Sequence, residues 1–197
     1  MKPRLVLLDS GGANLGSVQA AFARLGVDAP VSADEKEIRA ASHVILPGVG
    51  AAAAAMATLR GNGLDRLIPT LTQPLLGICV GMQLLFESSE EGDCECLGLL
   101  PGRLRRLQDK PGIRVPHMGW NRLRSLRAHP LVDGLEEEWV YFVHSYAVPI
   151  STHTIVATNH GADFSAVIAD GRVMGAQFHP ERSGTAGARL LQNFLSL

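Results

Sequence analysis

Apolar positions along this chain fall into two kinds of run. Residues 4–8, 42–46 and 75–78 are short and continuous rather than alternating, as in strands buried on both faces of a parallel sheet. Residues 15–25 repeat Val18, Phe22 and Leu25 at spacings of three and four, which is the period of a helix, and Gly26 supplies a stop. Residues 51–59 predict an alanine-rich helix, and 82–86 the first turns of another. Beyond residue 96 the pattern loosens. Residues 97–102 and 104–107 read as short strands with turns, 111–121 as an irregular Pro/Gly-rich stretch, and 139–146 as an aromatic strand. Residues 154–158 and 164–168 alternate like sheet strands, Asp170 and Gly171 make a hairpin turn, and 173–178 return as a strand. Residues 184–197 close as an amphipathic helix around Leu190, Leu191, Phe194 and Leu195. The expected class is α/β: a single domain over residues 1–197, with an open, mostly parallel or mixed sheet flanked by helices.

Composition narrows the function more than the fold. With 197 residues, 46% hydrophobic and 19% charged, the chain suits one packed α/β domain. A net charge of -1 gives no electrostatic case for nucleic acid or an anionic membrane. No apolar run approaches the roughly 20 residues of a bilayer span. The basic-then-apolar start is cut short at Asp9, which argues against a signal peptide. Three cysteines, Cys79, Cys94 and Cys96, predict a reducing compartment rather than a disulfide framework. Cys94 and Cys96 have no second Cys or His pair at zinc spacing, so no metal is expected. Glu87, Glu90, Glu91, Asp93 and Glu95 read as a solvated charge run.

Candidate chemistry begins at Gly77-Ile-Cys79-Val-Gly81, which places a nucleophile between two glycines where a strand passes into a helix. This is the elbow pattern: the turn strains the nucleophile's backbone, the glycines admit close neighbours, and the helix N-terminus favours a thiolate. A buried cysteine in an apolar turn is the plainer alternative. Pro47-Gly-Val-Gly50 follows another strand and can turn backbone N–H groups towards an anion, although alone it reads as a tight turn. Gly11, Gly12 and Gly16 do not match a dinucleotide fingerprint. His179-Pro-Glu181 follows a late strand. Period two puts imidazole and carboxylate on one side, where the carboxylate can fix the tautomer and stabilise the imidazolium. His144 reads as a satisfied structural histidine, and Trp120 as a packing residue or interface candidate. In an open parallel sheet the three C-terminal strand ends meet on one edge, bringing together nucleophile, base, orienter and oxyanion hole.

Taken together, Gly77 to Gln83, Pro47 to Gly50 and Gln177 to Glu181 resemble the class I (triad) glutamine amidotransferases, which have a flavodoxin-like α/β fold. His117-Met-Gly-Trp120-Asn, Tyr141-Phe-Val-His-Ser-Tyr146 and the length are similar to the amidotransferase subunits of imidazole glycerol phosphate synthases. The resemblance covers nearly the whole chain in the expected order. It implies Cys79 as nucleophile towards glutamine, His179 as general base and acid, and Glu181 as its orienter. It implies an oxyanion hole from Val49, Gly50 and Val80, and glutamine contacts from Gln83, Ser145 and Tyr146. It also implies a cytoplasmic heterodimer with a (βα)₈ cyclase subunit that receives ammonia, with Trp120, Tyr141 and Arg182 near that partner, and no cofactor or metal. Two departures stand out: Ser10-Gly-Gly-Ala-Asn14 replaces the family's usual N-terminal loop, and Arg182 stands where lysine is common. Alternatives are the glutaminase subunit of another class I amidotransferase, a catalytically silent binding subunit, or a cysteine hydrolase of unrelated substrate.

Overall fold

A computed structural model describes residues 3–12 and 14–197. Met1, Lys2 and Ala13 lie outside the described residues, so the start of the chain and part of the 10–14 departure are not characterised. In chain order the elements are β1 Leu5–Leu8, α1 Leu15–Arg24, β2 Val31–Ser32, α2 Glu35–Ala40, β3 His43–Leu46, α3 Ala52–Gly61, α4 Leu64–Leu67, β4 Leu75–Ile78 and α5 Val80–Gln83. They continue with β5 Ser88–Ser89, β6 Cys94–Glu95, β7 Arg103–Arg106, β8 His117–Arg122, β9 Arg124–Ser125, β10 Trp139–His144 and β11 Tyr146–Ala147. The last are β12 Thr154–Asn159, β13 Asp163–Asp170, β14 Val173–Ala176 and α6 Gly184–Phe194.

Eight strands form the main sheet in the order β2-β1-β3-β4-β14-β13-β12-β9. The first five run parallel, and β14 joins β13, β12 and β9 through antiparallel pairs. The sheet is therefore mixed, as expected. β1, β3, β4 and β14 are buried at every residue, which is why their sequences are continuous apolar runs. Late β14 lies beside middle β4, with Gly175 level with Gly77. Their C-terminal ends thus reach the same edge, the usual place for a site in an open α/β sheet. α1, α3 and α6 each bury one face, and α6 does so through Ala186, Gly187, Leu190, Leu191 and Phe194.

Two smaller pieces flank this edge. β5, β6, β7 and β11 form a four-stranded sheet, and β8 and β10 pair as an antiparallel ribbon. The ribbon corrects the irregular reading of 111–121: the second half of that stretch is strand. Its stability comes from pairing with β10, a long-range contact that local Pro/Gly content does not report. The charge run is corrected too. Its carboxylates are not merely solvated, because Glu87 accepts from Gly102 N at 2.9 Å, Glu90 from Arg106 N at 2.8 Å and Glu91 from Ala52 N at 2.8 Å.

Candidate active site

Cys79 follows β4 directly, with φ 52° and ψ −112°. For a non-glycine residue this is strained backbone, costing on the order of 1–3 kcal/mol and persisting only where the surroundings enforce it. Here the Cys79 amide donates to Ala176 O at 2.8 Å, tying the elbow to β14. The glycines show how tightly the elbow is clasped. A Cβ on Gly81 would overlap the Leu46 carbonyl at the end of β3, and one on Gly77 would lie 2.6 Å from Gly81 O. A Cβ on Gly48 would lie 2.6 Å from Gly81 N, so the 47–50 loop rests directly on the elbow.

The helix expected over 82–86 starts earlier and ends sooner. α5 spans Val80–Gln83, after which Leu85 and Phe86 bond back three residues rather than four. Leu84, Leu85 and Phe86 are all fully buried, which a continuing surface helix would not allow. One turn carries little macrodipole, so any anion stabilisation at Cys79 falls to individual N–H groups rather than to a helix.

His179 and Glu181 meet by a different geometry from the one strand periodicity predicts. β14 has already ended, and Pro180–Arg182 is a 3₁₀ turn that folds the carboxylate back under the ring. His179 Nδ1 donates to Glu181 Oε1 at 2.7 Å, and Asn14 Nδ2 donates to the same oxygen at 2.5 Å. The Glu181 side chain is 1% exposed. Burial opposes its charge, but the bond and charge of His179 and the bond from Asn14 hold its carboxyl below the usual range. Burial also opposes an imidazolium at His179; hydrogen bonds and charge from Cys79 and Glu181 outweigh it and push His179 up to about 10. With Nδ1 committed to Glu181, Nε2 is the atom left for proton transfer.

One cavity of about 640 Å³ joins these groups. Cys79 and His179 line it, as do Val49, Gly50, Val80, Gln83, Ser145 and Tyr146. Tyr141 and Arg182 stand at the same cavity. Trp120 does not line it; it lies on the outer face of the ribbon, edge-on to Tyr141 with ring centroids 6.1 Å apart. Cross-strand register sets Trp120 opposite Tyr141 and Met118 opposite Val143. Met118 (64% exposed), Trp120 (54%) and Trp139 (55%) make this face an apolar patch beside the cavity. A second hollow of about 820 Å³ near the C-terminus, lined by His129, Asp133 and Asn193 among others, contains no cysteine.

Several residues of this site escape a reading of the sequence. Asn14 reaches Glu181 across 167 positions. Gln177 is fully buried and donates to Cys79 Sγ at 3.8 Å, while its oxygen accepts from Gln83 at 3.1 Å. Glu91 lines the cavity and caps the start of α3, yet in sequence it is one of five similar carboxylates. Gln83 also differs from expectation in detail: its Nε2 donates to Tyr146 O at 3.0 Å as well as to Gln177, so both amide hydrogens serve the protein itself.

Comparison with known proteins adds four findings. Residues 6–197 match the family described as glutamine amidotransferase class-I. The chain is 57% identical to a Xylella fastidiosa protein named imidazole glycerol phosphate synthase subunit HisH, over 98% of this chain and 97% of that one. A Xanthomonas campestris pv. campestris protein of the same name is 56% identical, with the same coverage. A solved structure described as a glutamine amidotransferase superposes with a TM-score of 0.76 at 20% identity, covering 98% of this chain and 97% of that one, which is a likeness of fold.

Proposed function

This chain belongs to the class I glutamine amidotransferase family, among the HisH subunits of imidazole glycerol phosphate synthase, and we propose that it releases ammonia from glutamine at Cys79 for a cyclase subunit. His179 Nε2 takes the proton of Cys79 before attack, as its raised affinity for a proton favours, and Sγ then attacks the side-chain amide carbon of glutamine. The N–H groups of Val80 and of the Val49–Gly50 segment hold the resulting oxyanion. As the tetrahedral adduct collapses, His179 returns the proton to the leaving nitrogen and ammonia departs. Water, deprotonated by His179, then attacks the thioester and releases glutamate. Glu181 keeps the imidazole in the tautomer this cycle needs and stabilises its charged form. Asn14 in turn holds Glu181.

The observation that carries this reading is the strained Cys79 sharing one cavity with a buried His179–Glu181 pair. Substrate chemistry agrees with the lining: the α-ammonium and α-carboxylate of an amino acid need opposite charges, and Glu91 and Arg182 both border the cavity. Gln83 and the 145–146 segment would fix the rest of the glutamine. The single domain over residues 1–197 and a cytoplasmic location belong to the same reading. Among the described residues, no helix is long and apolar enough to cross a membrane. The partner would cover the patch of Trp120, Tyr141 and Arg182, extended by Met118 and Trp139, placing its ammonia entrance next to the cavity. In the assembled enzyme the ammonia would be joined to a phosphorylated ribulosyl nucleotide, giving imidazole glycerol phosphate and an aminoimidazole nucleotide of histidine biosynthesis.

The test is glutamate release from glutamine by the purified chain, alone and then with the cyclase subunit and its nucleotide ligand. Little activity alone and a large rise in the complex is the expected result. Equal, vigorous activity in both would overturn the partner-gated reading.

A further inference from the structure

The inward face of the ribbon carries polar groups that the proposed chemistry does not use. His117 opens β8 and His144 closes β10, directly opposite each other, and both are buried. Their hydrogen bonds can run in only one direction. His144 Nδ1 lies 2.8 Å from Tyr146 O, and a carbonyl only accepts, so Nδ1 carries a proton. His144 Nε2 lies 3.0 Å from His117 Nδ1. In the neutral ring that Nε2 accepts, and His117 Nδ1 must be the donor. At the far side, Asn121 Nδ2 faces His117 Nε2 at 3.3 Å, while its other hydrogen meets Asn159 O at 2.8 Å and its oxygen accepts from Arg122 N at 2.8 Å. The Asn121 amide is thereby fixed in orientation, and His117 Nε2 is an acceptor.

Burial and the neighbouring histidines His144 and His160 push His117 down to about 3. Burial pushes His144 down to about 4, against the Tyr146 bond that favours its charged form and with His160 and His179 adding to the fall. Both rings are therefore neutral near pH 7, as the donor order requires.

The chain of donors ends where the glutamine pocket begins. Tyr146 O accepts from His144 and also from Gln83 Nε2, and Gln83 leads through Gln177 to Cys79 Sγ. At Ser145 the strand leaves β8 and crosses to pair with β7 as β11, where Leu107 N donates to Ser145 O at 2.8 Å, while the Tyr146 carbonyl takes its bonds from the side chains of His144 and Gln83. We propose that His117 and His144 are positioning residues of the glutamine pocket: two neutral rings, both protonated on Nδ1, that hand a one-way series of hydrogen bonds from Asn121 to the Tyr146 carbonyl and so fix the 145–146 corner against Gln83. This rests on the reading of that corner as a glutamine contact.

Two measurements test it. Long-range ¹⁵N–¹H spectra of the purified chain near pH 7 should show both rings neutral and protonated on Nδ1, the less common tautomer of a free imidazole. Glutaminase kinetics of the chain assembled with its partner should separate two variants. His144→Leu removes the donor to Tyr146 O and is expected to raise KM for glutamine about fivefold with kcat nearly unchanged. His144→Asn places an amide N–H where Nδ1–H stood and should return KM close to that of the parent. An Nε2-protonated ring in either position, or the same KM in both variants, overturns the proposal. Absence of glutaminase activity in the assembled parent would instead count against the amidotransferase reading, and the tautomers would still decide the donor order.

Discussion

His179 and His144 are both buried, both use Nδ1 as a donor and both border the same cavity, yet the structure drives them to opposite states. His179, on the sheet edge, donates to a carboxylate and is pushed up to about 10, its burial outweighed by Cys79 and Glu181. His144, on the ribbon, donates to a neutral carbonyl, faces a second ring, and is pushed down to about 4, chiefly by burial. Burial alone penalises both imidazolium ions. What separates them is whether an anion stands within hydrogen-bond reach. The sheet edge is built to hold charge and move a proton; the ribbon's inner face is built to hold position.

The strongest way to break this contrast is to remove the chemistry at the edge. Cys79→Ala should lower glutamate release by more than ~10³-fold, read as initial rate in the assembled enzyme, with the fold unchanged by circular dichroism. Glu181→Gln should cost roughly 10³-fold in kcat, because the imidazolium loses its stabilising charge and its tautomer is no longer enforced. An NMR titration of that variant should show His179 falling from about 10, with Cys79 still favouring its charged form. The ribbon's outer face should respond differently. Trp120→Ala is expected to weaken binding of the cyclase subunit by about 30-fold in calorimetry, as for a buried aromatic anchor, while its own inward histidines keep their tautomers. Asn14→Ala removes one of two donors to Glu181 Oε1 and should lower kcat roughly tenfold, with a smaller change in KM.

The gentlest probe is pH. His179 has its folded pKa raised, so its contribution to stability is complete below the unfolded value near 6.5 and is lost as pH rises through about 10. His117 and His144 have theirs depressed. Their contribution is present above about 6.5 and is lost as pH falls through about 4 and about 3. Acid should therefore loosen the ribbon while the imidazolium of the sheet edge stays satisfied. Both tryptophans of the chain, Trp120 and Trp139, sit on that ribbon, so their fluorescence reports it directly. A change in emission as pH falls below about 6.5 and through about 4, preceding loss of far-ultraviolet ellipticity, is expected, and His117→Phe should move it to lower pH.

Much of this arrangement is legible in the sequence, and the reason is local. Continuous apolar runs mark β1, β3 and β4 because strands covered on both faces admit nothing else. Gly77, Gly81 and Gly48 mark the elbow because any Cβ there collides with backbone, so the constraint is written at the residues themselves. Cys79 and His179-Pro-Glu181 are visible for the same reason: the reacting group and its orienter must be those residue types. What the tertiary structure alone decided is who meets whom. The His179–Glu181 bond comes from a 3₁₀ turn rather than from strand alternation, and the second donor to Glu181 arrives from the start of α1. Glu91 separates from its four acidic neighbours only because the fold sets it on the cavity wall. The ribbon histidines look alike in sequence and acquire their tautomers from partners 27 positions apart in one case and two in the other. A side chain's identity fixes which bonds it can make. Which of them it makes, and therefore whether its charge is favoured, depends on groups that only folding brings within three ångströms.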